Sequence, residues 1–454
     1  MKPLLCLLAM VCPVFAEAPT AIAIHNARVV PVSGPALARG TVILRNGLIE
    51  SVGANVTIPA DAWIFEAEGL TVYPGFIDAL STVGLFEALP PTAAAAGGPG
   101  AATITALSIP SATPPARGPE DRPNTTSWAK AADSIRPNDP RIDTMRSIGY
   151  TTSFTFPSQG IFAGQGSVIN LAGEKAGQMV VADGIGQYVT MLNSGFGGGY
   201  PGSLMGTIAY IRQIYIDAEH YKKAKEIYAA HPAGTPRPEY DRALEGVLAS
   251  PRILLPATRR VDVDRMIRLA HDLKQQAILY GLPEGFQSSD LLKKAGTPVL
   301  VNLKWPEKSA GSDPDEYDSL RVLEVQDKAP SGPAIFAKDG VKFAFYSGGI
   351  TRRADLVKAV KRAMDAGLSA DDAIKAMTLT PAQMFGVADR LGSIEPGKIA
   401  NLVVTKGDYF DETTQIQYLF IDGKKHEPTP ETPPPGAAGG PNRAPTQSNP
   451  GAQQ

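Results

Sequence analysis

Water activation and nucleophilic attack draw on a short list of side chains, and this sequence is poor in them. It has five histidines: His25, His220, His231, His271 and His426. His25 lies in a strand-like stretch, His220 and His271 in helical ones, His231 in a loop and His426 before a Pro-rich tail. None ends a run that reads as a buried strand, where catalytic groups of a parallel α/β protein collect, so each reads as a surface or partly packed imidazole. Both cysteines, Cys6 and Cys12, fall in the first residues, within an export leader described below. The mature chain would then have neither a thiolate nucleophile nor a Cys-ligated zinc site. Ser347 in Tyr346-Ser347-Gly348-Gly349 invites a nucleophile reading, but no G-x-S-x-G elbow and no histidine accompany it. Gly164-Gln165-Gly166 lacks the spacing of a phosphate loop. Gly195 to Tyr200 is glycine-rich without a lysine and reads as a flexible, aromatic-bearing loop.

The elements that would position such residues are more legible. Ala27-Arg28-Val29-Val30-Pro31-Val32, Gly40 to Arg45 and Leu48 to Val52 alternate as strands, with Asn46-Gly47 between the last two as a hairpin turn. From residue 150 onward, short apolar strands alternate with amphipathic helices. The strands are Tyr150 to Phe156, Ile253 to Pro256, Ala277 to Tyr280, Pro298 to Leu303 and Lys342 to Tyr346. The helices are Val261 to Lys274, Ser289 to Ala295, Ala354 to Ala366 and Ala370 to Met377. Buried strands followed by helices predict a parallel sheet, and a (β/α) barrel is the leading architecture at this length. Ala400 to Val404 and Ile416 to Ile421, with Asp422-Gly423 turning, return to the strand pattern.

Composition narrows the partners. Lys and Arg number 43 against 45 Asp and Glu, so no basic surplus points to nucleic acid. The first residues have the three parts of a secretory signal: Lys2, an apolar run from Leu4 to Val11, and Val14-Phe15-Ala16 before Glu17. Met10 and Val11 are bulky before Cys12, which argues against a lipoprotein site. The apolar run is too short for a permanent span, and no second one follows, so export to the periplasm or the medium is expected. The stretch 88–126, rich in Ala, Pro and Gly, reads as a flexible insertion, and 427–454 as a disordered tail.

Several segments together carry a family resemblance. Val72-Tyr73-Pro74-Gly75-Phe76-Ile77-Asp78 resembles the entry to the first barrel strand of the amidohydrolase superfamily, usually PGxID followed by A-H-x-H. Met377-Thr378-Leu379-Thr380-Pro381-Ala382 is similar to its threonine-proline helix start. Leu391-Gly392-Ser393-Ile394-Glu395-Pro396-Gly397-Lys398-Ile399-Ala400-Asn401-Leu402 is similar to its return from barrel to β unit, with Asn401 where Asp is commoner. Gly149-Tyr150-Thr151-Thr152, Gly164 to Ile169, and the helix from Met205 to Tyr221 resemble its exported, imidazolonepropionase-like branch. The resemblance implies an α/β fold: a TIM-like (β/α) barrel with a small composite β-sandwich domain from both chain ends. The boundaries are a signal at 1–16, the composite unit at 20–73 and 397–426, and the barrel at 74–396.

The family mechanism uses one or two divalent ions that activate water against a C–N bond. The resemblance places the ligands at positions that hold other residues here. These are Leu80 and Thr82 after the first strand, Pro256 and Thr258 at the fifth, Tyr280 or Gly281 at the sixth, and Ser347-Gly348 at the eighth. Asp78 is the surviving candidate for a catalytic role, and a lone carboxylate does not make a metal site. The expectation is a metal-free pseudoenzyme that binds a small-molecule ligand or an amidohydrolase paralogue. The alternative is an active C–N hydrolase with an unusual or metal-free site built from residues such as Asp78, Glu284 and Arg259, and only under it would zinc or another divalent ion serve as cofactor. A third reading, an envelope-interaction protein, would use the Pro-rich segments.

Overall fold

In a computed structural model, residues 21–85, 118–192, 199–308 and 317–428 are described. The expected signal, the tail beyond 428, most of the insertion at 88–126 and most of the glycine-rich loop at 195–200 lie outside them.

The described residues begin with five strands, β1 (Ala21–Val29), β2 (Leu37–Arg45), β3 (Leu48–Gly53), β4 (Ala62–Glu66) and β5 (Thr71–Pro74). The expected hairpin joins β2 to β3, where Asn46 (φ 52°) and Gly47 (φ 82°) take the left-handed conformations that such a turn requires. Next come β6 (Phe76–Ser81), β7 (Tyr150–Thr155), β8 (Phe162–Gln165), β9 (Ser167–Asn170), β10 (Val180–Ala182) and β11 (Gln187–Val189). Gly164 to Ile169 thus forms the end of β8 and most of β9. Helix α1 (Pro140–Ser147) precedes β7 and α2 (Ala176–Met179) precedes β10. Helices α3 (Leu204–Ala230) and α4 (Arg242–Ala249) lead to a regular β/α run. That run is β12 (Ile253–Ala257), α5 (Arg260–Asp272), β13 (Ala277–Gly281), α6 (Ser289–Ala295), β14 (Val299–Asn302), α7 (Leu320–Lys328), α8 (Gly332–Asp339) and β15 (Phe343–Tyr346). Helices α9 (Arg353–Asp365), α10 (Ala370–Met377) and α11 (Leu379–Phe385) follow. Three last strands, β16 (Leu402–Thr405), β17 (Ile416–Ile421) and β18 (Lys424–His426), complete the described chain.

The ladders group into three sheets. Strands β16 to β18 join β1 to β5 in an eight-stranded sheet, so both parts of the chain contribute to it. Two glycine turns meet there: a Cβ on Gly423 would lie 2.8 Å from the Cα of Gly47. The second sheet runs β10-β9-β7-β6, with β6 parallel to β7. The third runs β15-β14-β13-β12-β11-β8 and is parallel from β11 to β15.

Strand side chains alternate between two environments, as the two-residue period demands. Ile253, Leu255, Leu279, Val299, Val301 and Phe345 share a core with helix residues Val263, Met266, Leu269, Leu356 and Val360. Their neighbours Leu254, Ile278, Leu300 and Ala344 share a different cluster with Ile77 of β6, Phe154 of β7 and Val168 of β9. The second and third sheets therefore bury their non-helical faces against each other.

Candidate functional site

The C-terminal ends of β6, β13 and β15, with β11 and the residue after β7, surround a cavity of about 430 Å³. Asp78, Leu80 and Thr82 line it from β6 and its exit, Phe156 from the end of β7, and Tyr188 from β11. Tyr280 lines it from β13, and Tyr346, Ser347 and Gly348 from β15 and its exit. This is the end of a parallel sheet at which ligands collect in α/β folds.

Asp78 is fully buried at the cavity floor. Its Oδ1 accepts from the Ser347 backbone N–H at 2.8 Å and its Oδ2 from the Ser347 hydroxyl at 2.7 Å. Burial pushes this carboxyl up to about 6, and the hydrogen bonds from Ser347 and the Leu80 backbone oppose that shift without reversing it. Ser347 is thus occupied in orienting Asp78. No histidine lines the cavity among the described residues, so its hydroxyl lacks the base that a serine nucleophile needs.

The expected metal-ligand positions separate into two groups. Leu80, Thr82 and Gly348 line the cavity with Asp78, while Pro256, Thr258 and Gly281 are not among the lining residues. The Thr82 hydroxyl and carbonyl both accept from the Arg141 guanidinium at 3.0 Å, which also grips Asp139 and the Leu85 carbonyl. Gly348 has a φ of 60°, and a Cβ there would fall 2.0 Å from Asn302 Oδ1. A carboxylate at this position would have to displace Asn302. Among the described residues, no group of three or more His, Cys, Asp or Glu is placed to hold a metal ion. The donors around Asp78 are hydroxyls and backbone amides, which do not fit the imidazole and carboxylate set a divalent ion takes.

The residues of the alternative site do not assemble. Glu284 accepts from the Arg321 guanidinium at 2.6 Å and from the Arg260 backbone N–H at 3.3 Å. Arg259 pairs with Asp262, and neither Glu284 nor Arg259 lines the cavity with Asp78. Sequence reasoning missed the aromatic wall instead. Tyr188 and Tyr280 stack with ring centroids 5.0 Å apart, and the Tyr280 hydroxyl donates to the Val189 carbonyl at 3.1 Å. Burial raises both phenols and that of Tyr346 above the ordinary range, so all stay protonated. The available signal was that Tyr280 and Tyr346 each end a predicted strand.

The amidohydrolase family model matches residues 333–425, from α8 through β15 to β18. An amidohydrolase from Thermotoga maritima MSB8 is 26% identical, with a TM-score of 0.69 over 89% of this chain and 99% of its own. Over residues 333–425 by the family model, and over most of its length by the fold, the chain is similar to amidohydrolases. Two more distant solved structures share the fold. A prolidase complexed with N-methylphosphonate-L-proline is 16% identical, with a TM-score of 0.53 over 90% of this chain and all of its own. Another amidohydrolase is 14% identical, with a TM-score of 0.52 over 91% of this chain and all of its own. No curated protein sequence matches. The Pro74-Gly75 entry to β6 has a steric basis: a Cβ on Gly75 would lie 2.0 Å from the Thr151 hydroxyl.

Proposed function

We propose that this protein is an exported, metal-free member of the amidohydrolase superfamily that binds a small-molecule ligand in its strand-end cavity and does not hydrolyse it. The observation that carries this reading is the state of Asp78. In a metal site the carboxylate lone pairs would face an ion, whereas here they accept from the Ser347 amide and hydroxyl and from the Leu80 amide. Without a metal or a well-placed base, water at neutral pH is a poor nucleophile. The shared cluster of Ile77, Phe154, Leu254, Ile278, Leu300 and Ala344 supports reading the second and third sheets as the two arcs of one barrel, with Asp78 and Ser347 spanning β6 to β15. The eight-stranded sheet would then be the composite β domain beside it.

Elemental analysis of the purified mature protein tests the reading directly. Dialysed protein should contain substoichiometric Zn, Mn and Fe and leave amide and dipeptide substrates intact. One equivalent of any of these metals surviving dialysis would sink it and restore the C–N hydrolase alternative. Export predicts a mature N-terminus at Glu17, which N-terminal sequencing of secreted or periplasmic material reads.

A further inference from the structure

The cavity combines an acidic floor with aromatic walls and has little to balance the charge. Asp78 is fully buried, and the groups that bear on it are the amide and hydroxyl of Ser347 and the amide of Leu80, with no Lys, Arg or His among them. Arg141 also lines the cavity, but its guanidinium is held by Asp139, by both oxygens of Thr82 and by the Leu85 carbonyl. Neutral donors orient a carboxylate without cancelling its charge, and a buried charge without a counter-ion is costly. The rings add to the same sign of field. Tyr188, Tyr280 and Tyr346 bring π-systems, whose faces are electronegative, to the lining, Tyr188 and Tyr280 stack on each other, and the Tyr280 hydroxyl is used in donating to the Val189 carbonyl. An anionic guest would meet both the carboxylate and the rings unfavourably. A neutral guest would leave the carboxylate uncompensated. A hydrated inorganic dication would find too few oxygen ligands at the floor.

We propose that the cavity takes a small organic ammonium cation, its head group held over Asp78 and among the rings of Tyr188, Tyr280 and Tyr346. This rests on the metal-free, ligand-binding reading above and names the class of ligand. Tyrosyl rings beside a carboxylate suit a diffuse, weakly hydrated charge, because cation–π attraction survives where the guest sheds little water. The cavity volume of about 430 Å³ lies in the range of small-ligand sites.

The test is calorimetric titration of the full mature chain with choline and with its neutral isostere, 3,3-dimethylbutan-1-ol. Wild-type protein should bind choline about tenfold more tightly than the alcohol. Asp78→Asn should bring the two affinities together, and Tyr280→Leu should weaken choline more than the alcohol. The second variant decides the matter if the first does not fold, as judged by its thermal transition. Equal affinities in the wild type would overturn the cation assignment and leave a cavity for neutral ligands. Failure of both probes at millimolar concentration would also overturn it. A stoichiometric metal found in the same sample would then remove the metal-free reading too, whereas metal-free protein would leave that reading standing.

Discussion

Asp78 and Ser347 lie far apart in the chain and meet through two hydrogen bonds, the Ser347 amide to Oδ1 at 2.8 Å and its hydroxyl to Oδ2 at 2.7 Å. Asp78 is in β6 of the second sheet, and Ser347 directly follows β15 at the edge of the third. One side chain thereby ties two sheet edges together at the cavity floor. The pair gives the Asp78 carboxylate a structural task, and both partners are buried, so the contact is shielded from water.

Removing the carboxylate should therefore cost stability more than it costs any activity. Asp78→Ala would leave the buried Ser347 amide and hydroxyl without their acceptor, at about 1–3 kcal/mol for each orphaned group. Asp78→Asn should be far milder. Its carbonyl can still accept from the amide, and its NH₂ can donate to a serine hydroxyl that rotates to receive it. Below about pH 4, where the carboxyl is protonated, urea unfolding of the three proteins should rank wild type and Asp78→Asn together, with Asp78→Ala well below. Equal midpoints for the Asn and Ala variants would show that the pair does not hold the sheets.

The same carboxyl should impose a pH dependence of unusual sign. Its folded-state value, raised by burial to about 6 from 3.8, means that folding favours the protonated form. Its contribution is fully present below pH 3.8 and is lost as pH rises to about 6. The loss is on the order of 3 kcal/mol over that window. Carboxyls held below their ordinary range, such as Asp139, Asp262, Asp290 and Glu395, act in the opposite direction. The comparison that isolates Asp78 is the stability of wild type minus that of Asp78→Asn. This difference should fall as pH rises from about 4 to about 6. A difference that stays flat would place the carboxyl's folded value near that of the unfolded chain.

Putting an aspartate back at 348 should not restore a metal site. With φ at 60° and Asn302 Oδ1 only 2.0 Å from the new Cβ, Gly348→Asp must move Asn302, whose Oδ1 also accepts from the Lys304 amide at 2.9 Å. Overpacking of this kind costs about 1–3 kcal/mol. Truncating the neighbour should relieve it, so Gly348→Asp with Asn302→Ala should be less destabilised than the sum of the two single variants. A double-mutant cycle by chemical unfolding measures that coupling. Strict additivity would mean that Asn302 already yields freely.

Parts of this arrangement were legible from the sequence because local chemistry dictated them. Asn46-Gly47 specified its turn, apolar residues at helical spacing around Leu356 and Val360 specified α9, and the bounds of α6 and α10 coincide with the predicted Ser289 to Ala295 and Ala370 to Met377. The breaks at Leu80 and Thr82 were visible because the motif ending at Asp78 directly precedes them. The short strands β8 and β9 were not, since glycines and polar residues carry them. Gln165 is buried there because its amide donates to the carbonyls of Ser127 and Gly246, partners distant in sequence. The tyrosine wall was hidden for the same reason. Tyr188, Tyr280 and Tyr346 come from separate strands, and a tyrosine at a strand end looks like core until the strands are assembled.

Asn401 shows how such assembly explains a departure that sequence could notice but not interpret. Aspartate is the commoner residue at this position in the superfamily motif, and here the asparagine amide is fully used. Its Nδ2 donates to Thr152 Oγ1 at 3.0 Å and to Asn170 Oδ1 at 2.7 Å, while its Oδ1 accepts from the Asp422 amide at 2.8 Å. The site joins the return strand to β7, β9 and the Asp422-Gly423 turn, and Asn401 is 5% exposed. Asn401→Asp would replace both donated bonds with an acceptor facing the Asn170 carbonyl oxygen and would bury a charge. The unfolding free energy should drop by about 2–5 kcal/mol. Asn170→Ala should recover part of that loss, because it removes the opposing oxygen. Thermal unfolding of the single and double variants checks this. An Asn401→Asp protein as stable as wild type would mean that the network can reverse its donors, for instance by an amide flip at Asn170 that turns its NH₂ toward the new carboxylate.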